Sequence, residues 1–109
     1  MSKLVIGLIV FLWGMLVANA SSQSGIVTSI QVRDDGLHWI YLNGARDERP
    51  ACASGQVYWM IKDENSLYGK SQFSLLLTAY AAKSPVSIIG KGSCTRWGDG
   101  EDIGTVQLR

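Results

Sequence analysis

From Gly25 to Arg33 the chain reads GIVTSIQVR, with Val27, Ser29, Gln31 and Arg33 alternating against Ile26, Thr28, Ile30 and Val32. A period of two in a stretch rich in β-branched residues predicts a half-buried strand. Asp34-Asp35-Gly36 supplies turn residues, with Gly36 free to take positive φ. Leu37–Leu42 (LHWIYL) predicts a second strand returning as a hairpin. Asn43-Gly44 and a charged loop, Ala45–Pro50, follow. Gln56–Lys62 (QVYWMIK) then predicts a third strand, with Val57, Trp59 and Ile61 on one face and Tyr58 and Met60 on the other. Val86–Ile89 and Ile103–Leu108 predict a fourth and a fifth, separated by the Gly90-Lys91-Gly92 turn and a Gly/acid loop, Trp97–Asp102.

Between the third and fourth strands the period changes. Phe73, Leu76, Leu77, Tyr80 and Ala81 fall at i, i+3, i+4, i+7 and i+8, one face of a helix capped by Ser71 and stopped by Ser84-Pro85. Lys83 suits its C-terminal end. The order β-β-β-α-β-β is that of an OB-fold barrel: mainly β with one helix, in a single domain over residues 21–109.

That helix departs from the usual surface pattern. Ser71–Ala82 holds no charged residue, and the face opposite the Phe73/Leu77/Tyr80 stripe offers Ser74, Leu75, Thr78, Ala79 and Ala82. A helix lying on a small barrel normally turns charge to water. A small, neutral outer face predicts a second contact surface, made with copies of the same chain.

The N-terminus changes the compartment. Lys3 gives a positive start, Leu4–Val17 is an apolar run too short to span a bilayer, and Ala18-Asn19-Ala20 offers small residues where a signal peptidase reads. Residues 1–20 are expected to be a cleaved signal peptide, and the mature chain to be exported, periplasmic or secreted, without membrane insertion. The sequence carries 10 basic and 9 acidic side chains, and losing Lys3 balances them. A chain with no net field has little to draw nucleic acid to it. Cys52 and Cys94 are the only cysteines. In an oxidising compartment they are expected to pair, closing a long loop worth about 4 kcal/mol in the chain-entropy model.

The sequence offers no catalytic constellation. His38 is the only histidine and has no evident acid or nucleophile beside it. No cysteine or histidine spacing fits zinc. Gly69-Lys70-Ser71 resembles the end of a phosphate-binding loop, but Glu64 stands where that motif needs a glycine. Asp99, Glu101 and Asp102 lack EF-hand spacing and read as a solvated acidic loop. No cofactor or metal is implied, and the protein reads as a binding module rather than an enzyme. The aromatics are the candidate chemistry: Trp39, Tyr41, Tyr58, Trp59, Tyr68 and Trp97 lie in strands or adjoining loops. Exposed tryptophan or tyrosine on a barrel face is a platform for sugars or bases, and the neutral charge favours glycan. The runner-up is a stand-alone periplasmic OB-fold module that binds a protein partner or stabilises an envelope complex.

Ser24-Gly25-Ile26-Val27 at the first strand, Leu75–Ala81 in the helix, Pro85-Val86-Ser87-Ile88 and the following Cys94 resemble the binding subunits of subtilase cytotoxin and its pertussis-like relatives among AB5-type bacterial toxins. The resemblance spreads over about residues 24–108. It implies an OB-fold assembled as a homopentamer with the helices around a central pore, binding of sialylated cell-surface glycans, and a toxic A subunit as partner. It places Ser24 at the sialic acid, with Trp39, Tyr41 and Trp97 as the aromatic candidates of this chain. The family's sugar-holding tyrosine has its counterpart at Gly90, where that contact is lacking.

Overall fold

The computed structural model describes residues 20–109, so the expected signal peptide lies outside the described residues apart from Ala20. The described chain is mainly β, with one helix and one disulfide, Cys52–Cys94. Its elements are β1 (Ser22–Gly25), β2 (Val27–Val32), β3 (His38–Leu42), a short 3-10 turn at Ala51–Ala53, β4 (Trp59–Met60), α1 (Leu67–Ala82), β5 (Val86–Gly90) and β6 (Glu101–Leu108). Among the described residues no helix is long and apolar enough to cross a membrane.

The strands form one six-stranded sheet in the order β1-β5-β6-β4-β3-β2, not the closed five-stranded barrel expected from the pattern. The extra strand arises because the first predicted strand starts earlier, at Ser22, and is interrupted at Ile26. There Asn43 takes over the pairing: its side-chain oxygen accepts from Ile26 N at 2.9 Å, and its own N–H donates to Ile26 O at 3.1 Å. The two halves then part, β1 running antiparallel to β5 and β2 antiparallel to β3. The outermost strands of an open order are thus consecutive in the chain. A bridge between Gln23 and Arg46, and a bond from Asp47 N to Ser22 O at 3.2 Å, also tie β1 to the segment following β3.

At the centre, β4 pairs antiparallel with β3 and parallel with β6. It is far shorter than the Gln56–Lys62 strand that the alternation predicts. Val57 is exposed, whereas Trp59, Met60 and Ile61 are all buried. Three consecutive buried side chains mean that both faces are covered there, which erases the expected alternation. β3 keeps it: His38, Ile40 and Leu42 point inward, and Trp39 and Tyr41 are half-buried on the opposite face.

The helix begins a turn before the predicted cap. Ser66, not Ser71, caps it, accepting from Gly69 N at 3.0 Å, and Lys83 ends it in the left-handed region at φ 54°. Its buried face is also rotated from the predicted one, comprising Gly69, Gln72, Leu76 and Ala79, with Phe73 packed alongside. Leu77 and Tyr80 are 45% and 50% exposed. Ala79 lets the helix lie close to the sheet, whereas Gly69 makes room for the preceding connector, because a Cβ there would lie 1.9 Å from Asp63 O. Gln72 adds a bond from Nε2 to Gly104 O at 3.1 Å. The core joins Leu76 and Ala79 to Val27, Ile40, Leu42, Trp59, Ile61, Val86, Ile88 and Ile103. Burying each large aliphatic or aromatic side chain contributes about 1.5–3 kcal/mol.

Glu101 and Asp102 are fully buried, which corrects the reading of a solvated acidic loop. Asp102 accepts bonds from Ser93 Oγ, Thr95 Oγ1 and Thr95 N at 2.7–3.0 Å and organises the loop before β6. Glu101 pairs with buried Arg46 at 2.8 Å. Gly90 is obligatory beside it, because a Cβ there would lie 1.8 Å from Glu101 Oε2 and 2.7 Å from the Trp59 ring. No tyrosine can replace it.

Candidate ligand-binding site

The outer face of β3 places Trp39 and Tyr41 two residues apart, hence on the same side. Tyr58, immediately before β4, lies between them: its ring is 5.8 Å from Tyr41 and 6.3 Å from Trp39, centroid to centroid. Trp97, from the loop before β6, stands 5.8 Å from Trp39. All three contacts are edge to face, with interplanar angles of 73–79°. This geometry holds the rings as a stepped ledge in which no two rings stack face to face. All four rings are half-buried.

Polar groups border the ledge. The Arg33 guanidinium lies 5.0 Å from the Trp97 centroid and 5.7 Å from that of Trp39. It is held there by Asp35, to which Nε and Nη2 donate at 2.9 and 2.6 Å. The Arg33 hydrogen bond holds the Asp35 carboxyl far below the usual carboxylate range, with a further bond from Leu37 N. At the other side Tyr58 donates its phenol hydrogen to Asp99 Oδ1, and Gln56 Nε2 donates to Asp99 Oδ2 at 3.2 Å. Burial, and then the bond to Asp99, push the Tyr58 phenol up from its ordinary value, so it stays protonated. Trp97, Gly98 and Asp99 line an open, shallow depression of about 240 Å³. That is below the ~300–1,000 Å³ of sites for drug-sized ligands and suits one ring-sized group.

The loop carrying Trp97 is fixed by three independent ties. The disulfide joins Cys94 to the turn at Cys52 with Cα atoms 6.2 Å apart. Buried Asp102 gathers residues 93–96. Arg96 reaches back to Glu64 at 2.9 Å. Trp97 and Gly100 then close a tight turn through an isolated bridge. A loop ordered before binding loses less entropy when it binds.

Of the sequence candidates, the structure brings Trp39, Tyr41 and Trp97 together. Ser24 stands apart on β1, where its hydroxyl meets Ser87 Oγ at 2.7 Å, and Ser87 in turn accepts from Arg109 at 3.3 Å. Sequence reasoning left Gln56, Arg33 and Asp99 out of the site, and named Tyr58 among the candidate aromatics without placing it in the ligand set. The signal for Tyr58 was present, since it sits out of phase with Trp59. Arg33 and Asp99 come from separate loops, and nothing in their spacing announces the meeting. His38 is buried, with Nδ1 2.6 Å from Gly36 O and its ring against Phe73, a structural setting.

The expected assembly face is redrawn. Ser74, Thr78 and Ala82 are exposed and Leu75 is half-buried, but Ala79 is completely buried against the sheet and cannot meet another chain. Leu77, Tyr80 and Ala81, which the pattern placed on the inner face, are exposed. No family model, curated protein or solved structure matches this chain.

Proposed function

We propose that this chain is an exported, non-enzymatic binding subunit that takes a cell-surface glycan on the Trp39–Tyr41–Tyr58–Trp97 ledge. The observation that carries the reading is the ledge itself: four half-buried rings in edge contact, bordered by Arg33, Asp99 and Gln56. Sugar rings present apolar C–H faces to an aromatic plane and hydroxyls at their rims. Stacking on Trp97, with hydroxyls donated to Asp99, answers both needs. A sugar carrying a carboxylate, such as a sialylated one, would draw on Arg33 Nη1, since Nε and Nη2 are held by Asp35. The balanced charge of the mature chain supports glycan over nucleic acid.

The same reading takes β1 and β2 as one bent strand. Joined through Ile26, they turn the observed order into the closed sequence of an OB-fold barrel, with β4 and β6 as its parallel pair. It takes the outer face of α1 as the contact between copies in a pentameric ring, a platform able to carry a toxic A subunit. Exposed Leu77 and Tyr80 on an otherwise neutral face support this. The alternative, a lone periplasmic module, draws on that same face for a protein partner.

A glycan array probed with the purified protein, Trp97→Ala and Ser24→Ala tests the site. Saturable binding lost in Trp97→Ala and kept in Ser24→Ala supports the ledge. Loss in Ser24→Ala alone moves the site to β1, and no retained glycan at all rejects the reading.

A further inference from the structure

Ser21 is 1% exposed, although it precedes the first strand. Residues at the start of a domain usually fray. Here every polar atom of the residue is engaged. Its N–H donates to Glu101 Oε2 at 3.2 Å and its hydroxyl to Glu101 Oε1. The hydroxyl oxygen also accepts from Arg46 Nε at 3.0 Å, and its carbonyl accepts from Gly90 N at 2.8 Å. Glu101 is fully buried, and its remaining partners are Arg46 Nη2 at 2.8 Å and Gly92 N at 3.0 Å. Ala20, one residue earlier, is exposed. The burial therefore begins at the junction where Ala18-Asn19-Ala20 predicts cleavage.

We infer that Ser21 is the first residue of the processed chain, and that the buried carboxylate of Glu101 is a receptor for its free α-ammonium. The inference rests on the exported reading, but not on the glycan. Hydrolysis of the Ala20–Ser21 peptide bond consumes one water and leaves a carboxylate on Ala20 and an amine on Ser21, protonated at neutral pH. The N–H···carboxylate bond, already charge-assisted through its acceptor, becomes an ion pair in which the donor is charged as well. Arg46 already faces Glu101, so the ammonium adds a second cation. Its two further hydrogens point toward the side that Ala20 occupies, which is open to water, and Asp47 lies one residue on, bound to Ser22 Oγ at 2.7 Å. Processing thus strengthens the latch on β1, which already lies on the sheet with Ser21 between Gly90 and Arg46.

The test compares two products of the full chain, each exported in a bacterial host. One has the natural sequence, and the other has Gly-Gly inserted between Ala20 and Ser21. Intact mass gives each N-terminus, melting gives stability, and reductive methylation gives the reactivity of the α-amine. The latch predicts a natural product beginning at Ser21 that melts roughly 5 °C above the extended one. It also predicts an α-amine methylated about tenfold more slowly than that of the extended product, because pairing with the buried carboxylate favours the unreactive ammonium. A natural product that begins elsewhere overturns the inference. Equal melting points or equal methylation rates overturn the latch and leave the exported reading standing. An uncleaved product overturns both.

Discussion

Trp39 on β3 and Trp97 in the loop before β6 meet edge to face, with ring centroids 5.8 Å apart, although 58 residues separate them in the chain. Arg33, from the turn that opens the same hairpin, lies over both rings. The ledge is therefore assembled from three places in the sequence, and its integrity depends on the loop that delivers Trp97.

Trp97→Ala is expected to leave the fold intact, since the ring is half-buried and outside the core. Glycan affinity should fall by about tenfold or more, equivalent to about 1.4 kcal/mol. Trp59→Ala should instead unfold the protein, because Trp59 is fully buried, donates to Gln23 Oε1 at 2.8 Å and lies against Arg46. Thermal melts paired with array binding separate the two outcomes.

Cys94→Ser removes the bridge to Cys52. Stability should drop by about 2–5 kcal/mol, the usual cost of losing a native disulfide from a small domain. Binding should weaken even at temperatures where the variant remains folded, because residues 95–97 lose one of their ties. An unchanged melting temperature would show that the other ties suffice.

Ala79→Glu and Tyr80→Glu should behave differently. Ala79 is completely buried, so a carboxylate there is desolvated without a partner and should unfold the domain. Tyr80 is 50% exposed, and a charge there should leave the monomer folded and break an assembly built on α1. Circular dichroism with light scattering reads both effects. An assembly of unchanged size in Tyr80→Glu removes the helix from the contact.

Acid should loosen the hairpin and the β1 clamp. Asp35 and Asp47 are both held below their ordinary 3.8, Asp35 first by the Arg33 hydrogen bond and Asp47 first by Ser22 N. A carboxylate with a lowered folded pKa stabilises above its unfolded value, and that contribution is lost as pH falls through the folded one. Melting temperature should therefore fall as pH drops below about 4, and Asp47→Asn should lower it at neutral pH while flattening the fall. An identical acid profile in Asp47→Asn would show that this group contributes nothing.

Much of the fold was legible because its signals are local. The period of two around Trp39 and Tyr41, the Asp34-Asp35-Gly36 turn, the helix and its stop at Pro85 all depend on near neighbours, and the turn holds with Gly36 at φ 92°. The misreadings come from long-range contacts. Asn43 breaks the first strand by bonding to Ile26 across 17 residues. Glu101 looked like a loop acid because its partner, Arg46, is 55 residues away. The helix face was misassigned because Gly69 and Ala79 pack by being small, which a count of large apolar residues overlooks. In the site, the ring types pointed to the ledge, while Arg33 and Asp99 joined it only through tertiary structure.

The decisive measurement follows the tryptophan indole N–H signals by ¹⁵N NMR during titration with a glycan retained on the array. If the sugar sits on the ledge, the Trp39 and Trp97 signals shift saturably, while that of Trp59, bonded inside the core to Gln23, stays in place. Saturable binding that leaves Trp39 and Trp97 unmoved would contradict the ledge as the binding surface.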